Sequence, residues 1–381
     1  MMKMKKISLI FGTRPEAIKL CPLIKTINDT EGLTADVCVT GQHREMLDQI
    51  LNIFNVKPDC DLNLMKPNQT LAGLTSRAIS KIDDYLSSAT PDIVVVQGDT
   101  TTVFCAALCA FYHKIPVGHV EAGLRTWNKN SPFPEEINRV LTSRVADMHF
   151  APTATSKANL LKEGIDENTI SVTGNTVIDA LLQVVNKTRL EPPHVSELPD
   201  HLQPGTSSDK DKIVLITGHR RENFGTGFEN ICQAIARLAT DYPDINFVYP
   251  MHLNPNVREP VARILGDFTG RNVFLIEPLD YYHFVAMMDK AEIILTDSGG
   301  VQEEAPSLGQ PVLVMRDTTE RPEAVEMGTV KLVGTNQDSI YDNVSLLLDD
   351  PLAYRKMANA VNPYGDGKAC QRITSLIKNQ I

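Results

Sequence analysis

Short apolar runs recur along the chain, and most are closed by glycine, a carboxylate or histidine. In the first half they read "ISLIF", "ADVCVTG", "DIVVVQGD", "IPVGHVEAG", "MHFAP" and "ISVTGN". In the second they read "KIVLITGH", "INFVYPMH", "NVFLIEP", "EIILTDS" and "PVLVM". An uninterrupted apolar run of this length suits a parallel strand covered on both faces. Helical patterns fill the intervals, so the chain predicts repeated strand–helix–strand units and doubly wound sheets. Residues 188–212, "TRLEPPHVSELPDHLQPGTSSDKDK", break the rhythm. Rich in Pro, Ser and charge and without a period, they read as a surface loop inside or beside the second half. The predicted class is α/β, with two Rossmann-like domains of parallel strands meeting near "VTGN". Residues 1–172 form the first domain and 173–362 the second. Halves joined in tandem leave an active-site cleft between domains, with strand ends from both pointing into it.

Composition narrows the function classes. A net charge of −10 supplies no basic field, so neither nucleic acid nor an anionic membrane is an expected partner. A few local cations can still hold an anionic substrate. The basic start "MMKMKK" is followed by too short an apolar run for a signal peptide. No stretch approaches membrane-spanning length. Seven scattered cysteines without CxxC spacing point to a reduced, cytoplasmic protein. Cys105 and Cys109 share a helical face and read as packing.

Ligands of open parallel sheets bind beyond the carboxyl ends of the strands. The first strand runs into a helix opened by Pro15, a place for an anion, with Arg14 and Lys19 beside it. Lys19 also reads as an exposed i,i+3 partner of Glu16. Asp99 follows "DIVVVQG" and reads either as an acid or as the N-cap of "TTTVFCAALCAF". His119, Glu121 and Arg125 follow at the next strand. "SPFPEEINR" sets Glu135 and Glu136 at a helix start, where a helix-end charge effect is the competing explanation. Carboxylates converging on one place push their pKa values apart, which makes acid and base roles possible. In the second half His219, Arg220 and Arg221 follow the first strand. Ser298, Gly299 and Gly300 leave backbone N–H groups free at the start of a helix that ends or kinks near Pro306. Such a cradle suits a pyrophosphate, although a tight strand–helix turn with a solvated Glu pair has the same sequence. Glu304, about one turn on, is placed to reach a ribose hydroxyl, and Arg321 emerges after the following strand. Without GxGxxG, a P-loop, HExxH, GxSxG or zinc spacing, no redox cofactor and no required metal are expected.

The blocks "GTRPEAIK", "TGQHREML", "VQGDTTT", "GHVEAGLRT", "PEEINR", "TGHRREN", "EPLDY", "DSGGVQEEAPSLG" and "TTERPEA" resemble, over nearly the whole chain, the non-hydrolysing UDP-N-acetylglucosamine 2-epimerases of bacteria. The resemblance implies a glycosyltransferase-B architecture whose C-terminal helix, within 363–381, crosses back to the first domain. It implies reversible C2 epimerisation of UDP-N-acetylglucosamine to UDP-N-acetylmannosamine. UDP is eliminated to give 2-acetamidoglucal and then added back, and the product serves bacterial cell-surface polysaccharide synthesis. Asp99, Glu121, Glu135 and His219 match the catalytic set. Arg14, Lys19, Phe284, Ser298, Gly299, Gly300, Glu304 and Arg321 match substrate contacts. Gln42, His43, Arg220 and His252 match a second site, where UDP-N-acetylglucosamine acts as activator. Gln42 and His43 also read as a capped loop before "REMLDQILNIF". A homodimer is the family expectation, and closure of the two domains around the ligand goes with a divided site. Four alternatives stay open: a hydrolysing epimerase, an epimerase of a related UDP-diacetamido sugar, a glycosyltransferase of the same fold, and a UDP-sugar sensor without turnover.

Overall fold

The computed structural model describes residues 4–41, 44–66, 69–206 and 211–380. The strands form two all-parallel sheets. The first holds β1 (Lys5–Phe11), β2 (Leu33–Val39), β3 (Cys60–Asp61), β4 (Ile93–Gln97), β5 (Val117–Val120), β6 (Met148–Ala151) and β7 (Ile170–Val172). Their order across the sheet is β3-β2-β1-β4-β5-β6-β7. The second holds β8 (Ile213–Thr217), β9 (Asn246–Pro250), β10 (Val273–Ile276), β11 (Ile293–Thr296), β12 (Val312–Val314) and β13 (Val330–Leu332), in the order β10-β9-β8-β11-β12-β13. In register, Leu9 lies between Val37 and Val95, and Ile294 between Leu215 and Val312. Every residue of β4 and β11 is buried, which is why these strands read as unbroken apolar runs.

Both sheets reverse their winding between their first and fourth strands: β1 beside β4, and β8 beside β11. At such a switch point the loops leaving the two strands diverge and open a crevice at the carboxyl edge. The candidate chemistry of each sheet sits there.

The chain divides into two compact units, Met1–Ala180 with Tyr364–Ile381, and Leu181–Pro363. The helix Thr176–Leu190 spans the division. The C-terminal helix Ala369–Gln380 belongs to the first unit and packs on the helix Arg14–Asn28. Its start is held by Asp179, whose carboxylate accepts from the N–H of Ala369 (3.1 Å) and Cys370 (2.9 Å). Burial raises the pKa of Asp179, and these bonds oppose the rise.

Two strands escape the apolar-run reading. β3 has two residues and β13 carries exposed Lys331; both lie at sheet edges, where burial is partial. Residues 188–212 also differ from a simple surface loop. Val195, Leu198 and Leu202 are buried there. Gln203 fastens them: its amide accepts from Val195 N–H (2.8 Å) and donates to the carbonyls of Val195 (2.8 Å) and Leu198 (2.7 Å). A polar composition conceals this because one side chain supplies the ordering. Cysteines among the described residues are free. Cys105 and Cys109 pack against the helix Leu71–Ala89, with thiols directed at the carbonyls of Thr75 and Ile79. No helix among the described residues is long and apolar enough to cross a membrane.

Candidate functional site

In the first unit, β1 delivers Gly12 and Thr13 to the helix Arg14–Asn28. Their N–H groups do not await an external anion. Both donate to Glu16 Oε2, at 3.0 and 2.7 Å, and Thr100 Oγ1 donates to Glu16 Oε1 at 2.7 Å. Glu16 is therefore a buried internal cap, and burial raises its pKa. Gly12 is itself closed in: a Cβ there would lie 2.0 Å from Thr40 Oγ1. Glu16 thus takes the two N–H groups that precede this helix. Arg14 is half-buried, and its guanidinium has no hydrogen bond or ion pair among the described residues. Since Glu16 is a cap, Lys19 pairs elsewhere, with Glu121 Oε1.

Glu121 follows β5 with φ of 63°, a left-handed conformation that a residue with a Cβ adopts at a cost. Only 8% of it is exposed. Lys19 Nζ and Asn175 Nδ2 (3.0 Å) donate to its Oε1, and Gln97 Nε2 donates to Oε2. Asp99, just past β4, is not the N-cap of the next helix. Thr100 takes that place, its side chain accepting from Val103 N–H. Asp99 instead accepts from Arg139 Nη2 at 2.6 Å, and Asn138 Nδ2 donates to its carbonyl at 2.9 Å. Burial raises the Asp99 pKa; Arg139 and Lys19 pull it back, while Glu121 and Glu135 push it up.

The adjacent acids Glu135 and Glu136 open the helix Glu135–Val145 but differ in kind. Glu136 is buried and accepts from the N–H groups of Thr126 and Trp127 (3.1 and 2.9 Å), so it shapes the preceding loop. Glu135 makes no side-chain bond among the described residues, yet its charge acts on Asp99. His119 lies within β5, fully buried. It donates from Nε2 to the Gly98 carbonyl (2.7 Å), and burial pushes its pKa down to about 3. It is a neutral strut beneath the Asp99 loop. Arg125 is a second strut, bidentate to Glu163 (2.8 and 2.7 Å) and donating to Ser143 Oγ (3.0 Å).

In the second unit, Asp297 follows β11 and is fully buried. Its Oδ2 accepts the N–H groups of His219 and Arg220, both at 2.8 Å, so it sets the loop after β8. Asp297 Oδ1 faces His219 Nδ1 at 3.6 Å. The His219 ring stacks on His252, with centroids 5.4 Å apart, and its side chain is 43% exposed. Burial lowers the His219 pKa; Asp297 opposes this, while His252 and Arg220 add to it.

Ser298 is the N-cap of the helix Gly299–Glu304, without a side-chain capping bond. The Arg321 guanidinium lies against this helix start: a Cβ on Gly299 would meet Nη1 at 3.1 Å. Arg321 is oriented by Glu303, which accepts from Nε at 2.6 Å. Glu304 accepts from the Tyr281 hydroxyl at 2.8 Å. Tyr281 opens the helix Tyr281–Lys290, which also carries the half-buried Phe284. Glu303 and Glu304 are thus a partnered buried pair rather than a solvated one.

The structure brings Lys19, Asp99 and Glu121 together in the first unit, with Glu135 in electrostatic reach of Asp99. In the second it gathers Arg220 and His252 around His219, and Arg321 against Gly299. Gln42 and His43 lie outside the described residues. Sequence reading passed over Gln97, Asn175 and the structural duty of Glu136. Gln97 and Asn175 stand inside "VQGD" and "VTGN", and a polar residue closing a buried run was the available signal. No group of three His, Cys, Asp or Glu among the described residues could hold a metal ion.

The family model described as UDP-N-acetylglucosamine 2-epimerase matches residues 25–378. A probable UDP-N-acetylglucosamine 2-epimerase of Ralstonia nicotianae is 56% identical over 378 residues, covering 98% of this chain and 99% of that one. The crystal structure of a putative UDP-N-acetylglucosamine 2-epimerase from Listeria monocytogenes superposes with a TM-score of 0.91 at 48% identity, over 99% of this chain and 96% of that one. That of the Neisseria meningitidis UDP-GlcNAc 2-epimerase bound to UDP-GlcNAc gives 0.86 at 52% identity, over 98% and 100%. The chain belongs to the UDP-N-acetylglucosamine 2-epimerase family.

Proposed function

We propose that the protein interconverts UDP-N-acetylglucosamine and UDP-N-acetylmannosamine without hydrolysis, by eliminating UDP and adding it back. The observation that carries this reading is the unlike holding of Asp99 and Glu121. Glu121 is gripped by Lys19, Gln97 and Asn175, while burial raises the pKa of Asp99 against the pull of Arg139. A base and a proton holder side by side are what a reaction at one carbon, approached from two faces, requires.

The C2 proton of the sugar is not adjacent to a carbonyl, so it is not acidic enough for direct exchange. Elimination avoids that carbanion. A carboxylate takes the C2 proton, the C–H pair becomes the C1–C2 double bond, and the C1–O bond breaks with its pair on the UDP oxygen. The glycal remains bound. In the return step a UDP oxygen re-forms the bond to C1, and C2 takes a proton on the opposite face. Asp99 and Glu121 act at C2, with Glu135 as a further acid/base group. His219, backed by Asp297, assists UDP in leaving and returning. Arg14 and Lys19 contact the UDP-sugar, and Lys19 also holds Glu121. The Ser298 N–H is not free, since it donates to Thr296 Oγ1 at 3.0 Å. The N–H groups of Gly299 and Gly300 therefore take the diphosphate with Arg321, Glu304 takes the ribose, and Phe284 lies on the uracil side.

The same reading places the enzyme in the cytoplasm as a homodimer that serves cell-surface polysaccharide synthesis. UDP-N-acetylglucosamine then also acts as activator through Gln42, His43, Arg220 and His252. Incubation with UDP-N-acetylglucosamine in deuterated water, followed by proton NMR, tests the proposal. UDP-N-acetylmannosamine carrying deuterium at C2 is expected. Free N-acetylmannosamine with accumulating UDP would move the protein to the hydrolysing class, and an untouched C2 proton would leave only a binding role or another substrate.

A further inference from the structure

The chain leaves the first unit after Ala180 and returns at Tyr364. Within that unit the outgoing and returning segments lie backbone against backbone. Asn175 N–H donates to the Tyr364 carbonyl at 2.7 Å. Gly174 takes the left-handed conformation that favours glycine, at φ 86°, and a Cβ there would sit in contact with Tyr364 O and Gly365 Cα, both at 3.4 Å. The Asn175 side chain is 3% exposed and fixed at both ends. Its Oδ1 accepts from Val177 N–H at 3.1 Å, near the start of the helix Thr176–Leu190. That bond fixes the amide's orientation, so Nδ2 is the atom that reaches Glu121 Oε1 at 3.0 Å.

We infer that Asn175 is a positioning residue for the reaction: from the crossing of the two segments it holds the Glu121 carboxylate in the orientation used at C2. The inference rests on the acid/base reading of Glu121. Glu121 needs such a holder because its backbone is left-handed and donors also come to it from elsewhere, Lys19 from the helix Arg14–Asn28 and Gln97 from the end of β4. Lys19 is a long, rotatable ammonium, whereas the Asn175 amide is planar and anchored through Val177 and Tyr364. Asp99 from the β4 loop and His119 from β5 also act with Glu121 by charge. Neither donates a hydrogen bond to it. Without Asn175 Nδ2, Oε1 loses the planar, anchored donor of the pair that Asn175 and Lys19 supply.

Asn175→Asp separates the two duties of the side chain. It keeps an oxygen for Val177 and the backbone bond to Tyr364, but puts an acceptor where Glu121 needs a donor. Asn175→Ser is the neutral companion, retaining a hydroxyl for Val177 without reach to Glu121. Both are assayed as full-length enzyme, with kcat and KM for UDP-N-acetylglucosamine measured across pH, beside thermal melting. Expected are a kcat lower by about 100-fold, a KM within a few-fold of wild type, and an acid limb of kcat/KM raised by roughly 1 unit in Asn175→Asp, with melting close to wild type. An active wild type whose variants keep its kcat and pH profile, or lose only thermal stability, overturns the inference alone. Two variants that both fail to fold overturn it too, because the residue is then structural. A wild type that leaves UDP-N-acetylglucosamine unchanged overturns the functional reading, and this inference with it; the wild-type assay tells the cases apart.

Discussion

The two sheets repeat one topology, and each places a buried carboxylate under the loop that leaves its first strand. In the first unit Glu16 accepts the N–H groups of Gly12 and Thr13; in the second Asp297 accepts those of His219 and Arg220. Beyond this shared scaffold the edges diverge. The first carries acids partnered by side-chain donors, Glu121 with Lys19, Gln97 and Asn175, and Asp99 with Arg139. The second carries a helix start closed by Gly299 and faced by Arg321. The contrast separates two kinds of acid. A carboxylate filled by consecutive backbone N–H groups is shaping a loop. One held by side-chain amides or cations, as Glu121 and Asp99 are, is fixed by residues drawn from several elements. Under the proposed function, the first edge moves protons and the second holds the diphosphate.

Breaking the first edge at its centre has the largest effect. Glu121→Gln is expected to cut turnover by about 1,000-fold, the range of a lost general acid or base, with the fold intact by circular dichroism. The adjacent acids sharpen the comparison. Glu135→Gln should lower kcat by about 100-fold with little change in melting. Glu136→Gln should instead cost about 1–2 kcal/mol of stability in urea, because Thr126 and Trp127 lose a charged acceptor. A smaller effect is expected from Arg139→Met. Arg139 pulls the Asp99 pKa down against burial, so its removal lets that pKa rise. The limb of the pH–rate profile governed by Asp99 then moves upward by roughly 1 unit; a downward or absent shift would detach Asp99 from that limb.

The sheets were legible because buried parallel strands are unbroken apolar runs, as at Val94, Val95 and Val96. β3 and β13 were not, since edge strands need less apolar surface. The positions of candidate acids were legible for the same reason as the strands: they follow them. Their partners were harder. That Lys19 pairs with Glu121 rather than Glu16 depends on the fold closing a separation of 102 positions. The difference between Glu135 and Glu136 depends on which of two neighbours on a helix turns inward. Asn175 marked a domain boundary in the sequence, and only its contact with Tyr364 gives it a place beside Glu121.

The division of labour is tested most directly by calorimetric titration of UDP into Asp99→Asn and Gly299→Ala. A methyl at Gly299 presses on the Arg321 guanidinium and shifts it against the helix start, so UDP affinity should fall about tenfold there. In Asp99→Asn, where only proton transfer is touched, UDP affinity should stay within a few-fold of wild type. Unchanged UDP binding in Gly299→Ala together with lost binding in Asp99→Asn would contradict the account.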